Sequence, residues 1–208
     1  ALKPIYDLAK IKRVIVSTYQ AVSGAGKECI DELYAQVRDH SEGREMTANI
    51  LPSASAEKHY PIAFNLIPQI DVFCDNLYTK EEMKMVNETK KIMEDYEMRI
   101  TATTIRVPVY RSHSESVNIE LEKEVDLGAM REALAKFPGV TVQDDPSKQE
   151  YPMPLYTSEK DDVYIGRLRR DESCEKSYNM WVVGDQIRKG AALNTLQIAE
   201  TMIKNGWI

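Results

Sequence analysis

Two residues in this chain have side chains whose types and spacing could do chemistry together. Arg106 and His113 lie in the run Thr104-Ile105-Arg106-Val107-Pro108-Val109-Tyr110-Arg111-Ser112-His113-Ser114-Glu115-Ser116. A guanidinium grips a carboxylate or phosphate with two parallel hydrogen bonds. An imidazole is the commonest general acid or base near neutral pH. An anion clamp beside a proton shuttle suits a reaction on an acidic small molecule. A single histidine after a strand is more often a surface or structural residue, so on local chemistry alone the pair is a functional hint.

Other candidates are weaker one by one. Gln20 stands at the mouth of a small-residue turn, Ser23-Gly24-Ala25-Gly26-Lys27, and its neutral amide could orient a carboxylate or a carbonyl. The turn is not a P-loop, because that pattern needs glycine where Ala21 stands and Ser or Thr where Glu28 stands. What remains is a strand, a tight turn and a helix N-terminus. That is either a plain turn or a loop whose free N–H groups face an anion or cofactor. Glu81 and Lys84 are three apart on the first turn of a helix, which in isolation reads as a solvated ion pair worth about 0.3–0.5 kcal/mol. Met83, Met85 and Met93 read as packing, and His40 and His59 have no ligand-spaced partners.

The elements that must position these residues follow from periodicity and punctuation. An amphipathic helix opens the chain (Leu2, Ile5, Leu8, Ala9), and a β-branched strand follows over 13–18. A helix after the glycine turn carries Ile30, Leu33, Tyr34 and Val37 on one expected apolar face. Residues 41–61 lack periodicity and read as a long loop, and 64–70 as an extended segment broken by Pro68. Thr79 and Glu82 form an expected capping box for a helix to about Tyr96. Strands are expected over 99–109 and 116–122, the first delivering Arg106 and leaving His113 just past its end, with Pro108 marking an edge or the end of pairing. Asp126 caps a helix that Pro138-Gly139 ends, and 140–142 is a short strand. A second long loop spans 143–161, strands at 163–168 and 178–183 are a candidate pair, and a helix over 190–204 stops at Asn205-Gly206. Strands in runs with helices between them imply an α+β domain on a mixed sheet. Long loops in a compact domain are usually functional or interface-forming.

Composition narrows the class. The chain has 208 residues, 43% hydrophobic and 29% charged, enough for one full core. A formal net charge of −6 argues against nucleic acid as partner. No apolar run reaches membrane-spanning length. Cys29, Cys74 and Cys174 have neither metal nor disulfide spacing, so reduced thiols in a cytoplasmic protein are the simple reading, with Cys29 as buried packing. No metal is expected.

Taken together, these pieces resemble the C-terminal part of aspartate-β-semialdehyde dehydrogenases, across essentially the whole chain. The resemblance rests on residues 14–26 and 63–71, on Glu81-Glu82-Met83-Lys84 with Glu88-Thr89-Lys90-Lys91-Ile92, on the Arg106 to Glu115 run and on residues 185–200. It implies a mixed sheet with helices on one face, like the C-terminal domain of the glyceraldehyde-3-phosphate dehydrogenase-like family. It implies that 1–208 is one catalytic and dimerisation domain, in which 190–208 would pack on a dinucleotide-binding domain. The implied reaction is the NADP-dependent, reversible reduction of aspartyl phosphate to aspartate semialdehyde and phosphate, in lysine, methionine and threonine biosynthesis.

By this resemblance His113 would be the acid/base and Gln20 would orient substrate or acyl intermediate. Arg106 would clamp the substrate carboxylate, Glu81 the amine and Lys84 the phosphate. Ser23, Gly24 and Asn194 would contact NADP. The protein would be a homodimer or homotetramer. The chain departs from the family in lacking its nucleophilic cysteine, expected a few residues ahead of Ala1, and its glycine-fingerprinted half. A truncated dehydrogenase is therefore expected. The alternatives are a non-catalytic assembly module of the same fold, or a related acyl-phosphate reductase with another substrate.

Overall fold

A computed structural model describes residues 1–208. Helix α1 (Leu2–Leu8) leads into strand β1 (Ile11–Gln20), a 3-10 turn over Val22–Ala25 and helix α2 (Lys27–Ser41). Then come α3 (Lys80–Met93), β2 (Arg99–Arg106), β3 (His113–Leu121), α4 (Leu127–Lys136), β4 (Val140–Val142) and α5 (Pro154–Thr157). Strands β5 (Val163–Arg170) and β6 (Ser177–Gly184), a π-helical turn over Arg188–Ala192 and helix α6 (Leu193–Lys204) complete the chain. No helix is long and apolar enough to cross a membrane.

The six strands form one mixed sheet in the order β2-β1-β3-β6-β5-β4. Strand β1 runs parallel to β2 and antiparallel to β3, and β3–β6 and β5–β6 are antiparallel. The expected pairing of the last two long strands holds, whereas β2 and β3 do not form a hairpin, because β1 lies between them. One face carries Val14 and Val16 of β1, Val117 and Ile119 of β3, and Tyr178 and Met180 of β6. It packs on Ile5 of α1 and on Met130 and Leu134 of α4, both 0% exposed and one helical turn apart. Burying each such side chain contributes about 1.5–3 kcal/mol. The buried Tyr178 hydroxyl donates to the Val125 carbonyl (2.7 Å) and accepts from its N–H (2.9 Å), so no polar group is stranded there. The opposite face, with Ile15, Tyr19, Asn118 and Trp181, stays partly exposed.

Several boundaries differ from the sequence reading. Strand β1 is ten residues long and carries Gln20 as its last residue. Strand β2 stops at Arg106, and β3 starts at His113, so the histidine is on a strand. Helix α3 ends at Met93, where Glu94 turns left-handed (φ 53°). Helix α2 buries Leu33 and packs Ile30 on the core as expected, but its inward face is rotated toward Cys29 and Gln36, and Tyr34 and Val37 are exposed. Gln36 is the reason. Its Oε1 accepts from the Ile62 and Ala63 N–H groups (2.9 and 3.0 Å), and its Nε2 donates to the Thr47 carbonyl (2.8 Å). One buried amide thus ties both ends of the 42–61 loop to α2. A second core of Val22, Cys29, Leu33, Leu51, Ile62, Ala63 and Ile67 forms beneath it.

Candidate active site

Beyond the C-terminal end of β1, the sheet supplies three polar side chains on one face. Gln20 pairs in register with Arg106 of β2, and His113 opens β3 beside it. These residues face a cleft of about 580 Å³ that Gly24, Ala25, Glu81, Lys84 and Gln186 also line. The long loop contributes Ile50 to Ala54 to the opposite wall. Five of the expected site residues therefore meet at one cleft with Gly24: Gln20, Glu81, Lys84, Arg106 and His113.

Their contacts define what each can offer. Gln20 donates from Nε2 to Glu81 Oε1 (3.1 Å), and Glu81 pairs with Lys84 at 3.6 Å. Arg106 donates from Nη1 to the Ala21 carbonyl (2.7 Å). The Ala21 N–H donates to His113 Nδ1 (3.0 Å), so the backbone of one residue, through its N–H and its carbonyl, holds both the clamp and the ring. With Nδ1 accepting, a neutral His113 carries its single proton on Nε2. The Cε1 and Nε2 edge lies against Gly24, where a Cβ would come within 3.2 and 3.3 Å of it and 3.0 Å from Arg106 Nη1. Any side chain at 24 would require Arg106 or His113 to give way by a few tenths of an ångström.

Electrostatics hold the ring neutral. Burial, reinforced by the Arg106 charge and opposed by Asp185, pushes the His113 imidazole down to about 3. Burial also lowers the Arg106 guanidinium, with Cys29 and Glu81 pulling the other way. Two buried polar atoms at the site, Gln20 Oε1 and Arg106 Nε, have no partner within the protein.

Sequence reasoning missed Gln186 and Asp185. Gln186 donates from Nε2 to Ser23 Oγ (2.6 Å) and accepts from the Ser112 N–H (3.2 Å), linking the glycine turn to the segment before His113. Asp185 is fully buried. Burial acts to raise its carboxyl, but backbone N–H groups of Glu159 and Arg188 and the Arg111 guanidinium outweigh that and lower it. The available signal was an acidic residue ending the apolar run Tyr178 to Gly184.

Ser23 is 9% exposed and bonded to Gln186 rather than open to the cleft. Asn194 lies elsewhere, in a cavity of about 570 Å³ with Pro138, Gly139, Lys189 and Gln197. Lys189 also borders a smaller cavity of about 220 Å³ that reaches His113 and Gln186. Cys29 is buried as expected, and burial pushes its thiol up to about 11, which leaves it inert as a nucleophile.

Known proteins are similar to this chain in sequence and fold. Aspartate-semialdehyde dehydrogenase of Aquifex aeolicus is 52% identical over 208 residues, covering 100% of this chain and 59% of its own length. The Bacillus subtilis enzyme of that name is 49% identical over 205 residues, covering 98% and 59%. This chain thus spans about 59% of the length of these relatives. A crystal structure of aspartate semialdehyde dehydrogenase II from Vibrio cholerae, complexed with ASA, superposes with a TM-score of 0.89 at 43% identity over 98% of this chain and 58% of that one. The family described as semialdehyde dehydrogenase, dimerisation domain, matches residues 2–189. The chain belongs to the semialdehyde dehydrogenase dimerisation-domain family.

Proposed function

We propose that this chain is the catalytic and dimerisation part of an NADP-dependent aspartate-semialdehyde dehydrogenase. The enzyme would be cytoplasmic and serve lysine, methionine and threonine biosynthesis. One observation carries the reading: Gln20, Glu81, Lys84, Arg106 and His113, drawn from four elements of secondary structure, line a single cleft with Gly24. Arg106 binds the substrate carboxylate, Glu81 its ammonium group and Lys84 the phosphate. Gln20, whose amide N–H is engaged by Glu81, turns its carbonyl toward the substrate. His113 presents Nε2 to the reacting oxygen and holds or moves the proton there. As a neutral donor it serves the transition-state oxygen directly. Acting as a base requires the ring to exchange tautomer or turn away from the Ala21 N–H.

The nucleophile in this reading is a thiol from sequence ahead of Ala1, since Cys29 is unfit. Ala1 is half-buried against the sheet's core, near Glu115 and Lys189, two residues that line the smaller cavity with His113. A segment preceding it would arrive on the histidine's side of the sheet. Small residues fit the nicotinamide end of a dinucleotide here: Gly24, Ala25 and Gly190 line the cleft, and a Cβ at Gly24 would press on Arg106 and His113. Ser23 would act by holding the turn and Asn194 by a contact further out. NADP supplies the hydride acceptor when bound. The partly exposed sheet face with Tyr19 and Trp181 supports a homodimer, or a homotetramer built from it.

The test is phosphate-dependent reduction of NADP by aspartate semialdehyde, with this chain compared to its gene extended upstream. Activity in the extended protein supports the reading. Inactivity of both would leave a non-catalytic assembly module, and activity with another aldehyde instead would make it a different acyl-phosphate reductase.

A further inference from the structure

We propose that Glu82, which does not line the cleft, is the positioning residue that sets Glu81 and Lys84 against Arg106. Strand β2 is at the edge of the sheet, so its outward N–H groups at Thr104 and Arg106 have no ladder partner. The Arg106 N–H donates to the Ile67 carbonyl (2.9 Å). The Thr104 N–H donates to Glu82 Oε1 (3.0 Å), while Glu82 Oε2 accepts from the Thr79 N–H (2.8 Å). A capping box ordinarily uses its glutamate only on its own helix. Here the second oxygen of the same carboxylate, 8% exposed, reaches across to the strand that ends in Arg106. Glu82 therefore fixes the first turn of α3 along β2. The flanking residues Glu81 and Lys84 reach the cleft because of it.

The chemistry of the junction needs a carboxylate. Both atoms facing Glu82 are donors, so a glutamine there would turn its NH₂ toward one N–H. That loses a bond and opposes two donors. The helix start would then drift relative to Arg106, and misplacement by about 1 Å can cost on the order of 100-fold in rate.

This inference rests on the reading of Lys84 as the phosphate site. The experiment uses the complete enzyme, measuring phosphate KM, cofactor KM and kcat, with backbone hydrogen exchange as a readout independent of the reaction. Glu82→Gln should raise phosphate KM by roughly 10-fold or more, leave cofactor KM unchanged and speed exchange at Lys80–Lys84 and Thr104. In a Lys84→Ala background, Glu82→Gln should add no further rise in phosphate KM. Unchanged exchange in Glu82→Gln overturns the proposal. So does an unchanged phosphate KM, a cofactor KM that rises in parallel, or a full further rise in the Lys84→Ala background. If Lys84→Ala itself leaves phosphate KM unaltered, the phosphate assignment fails and the proposal with it, an outcome distinct from the others. Glu82→Asp, shorter but charged, should keep the Thr79 bond and fall between wild type and Glu82→Gln, and equal loss in both variants counts against a role for the carboxylate charge.

Discussion

Lowering the pH should destabilise this protein through one imidazole. The native His113 is held at about 3, against an ordinary value of 6.5 in the unfolded chain. Between these values the unfolded state binds a proton that the native state refuses, so stability rises with pH across this window and is fully present only above about 6.5. Each pH unit below 6.5 removes about 1.4 kcal/mol from this group, so at pH 5 the loss is about 2 kcal/mol relative to pH 7. The measurement is urea unfolding at both pH values for wild type and His113→Asn. Asparagine offers an uncharged acceptor to the Ala21 N–H, and every other titrating group is common to both proteins. The pH-induced loss of stability should be about 2 kcal/mol smaller in the variant. Parallel losses in the two proteins would refute the claim that burial and Arg106 keep the ring neutral.

Three further outcomes follow from named contacts. Gly24→Ala places a methyl 3.0 Å from Arg106 Nη1 and 3.2 Å from His113 Cε1. Its φ is ordinary, so the fold should lose about 1–3 kcal/mol at most, while turnover of the complete enzyme should fall by on the order of 10-fold to 100-fold. Wild-type kinetics would mean the two side chains yield freely. Gln36→Leu strips partners from the Thr47 carbonyl and the Ile62 and Ala63 N–H groups. It should cost about 1–3 kcal/mol for each group left buried and open the 42–61 loop to limited proteolysis, and an unchanged cleavage pattern would rule out the clamp. Arg106→Ala should weaken substrate handling by about 1.5–3 kcal/mol and abolish discrimination between a substrate carboxylate and its carboxamide analogue. Preserved discrimination in the variant would place the carboxylate elsewhere.

What was legible in the sequence was local. The Thr79–Glu82 capping box needs only residues three apart, and the structure contains it with both bonds made. Asp126 caps α4 through the Gly128 and Ala129 N–H groups, and Gly206 adopts the left-handed turn that stops α6. The resemblance supplied residues that no local pattern could rank, because Gln20, Glu81 and His113 become neighbours only through the sheet. What failed was any inference from hydrophobicity where a polar group had a structural task. The apolar stripe of α2 was right at Ile30 and Leu33 and wrong at Tyr34 and Val37, because Gln36, a polar residue, is buried to satisfy three distant backbone groups. Strand β1 was read short because its last two residues are Tyr19 and Gln20, and Gln20 is on the strand to reach the cleft. The second role of Glu82 was invisible for the same reason, since its strand partner is 22 residues away.

The unspent hydrogen-bonding capacity of the cleft is itself informative. Gln20 uses its amide N–H on Glu81, which leaves its carbonyl without a partner. Arg106 uses Nη1 on the Ala21 carbonyl, which leaves Nε without one. An unpartnered buried polar group costs about 1–3 kcal/mol, and removing it would be easy: an apolar residue at position 20 would pack as well on a sheet face that is apolar further along β1. Beside this acceptor and this cationic donor stand Glu81 and Lys84, a carboxylate and an ammonium that pair with each other at 3.6 Å. In the proposed reading, a compact molecule bearing a carboxylate, an ammonium group and a second anion complements the charges of Arg106, Glu81 and Lys84. A purely apolar ligand satisfies none. The proposed substrate, a zwitterionic acid with a phosphate, matches that pattern of charge, and the bond that the edge strand donates to Glu82 keeps Arg106 in register with Glu81 and Lys84.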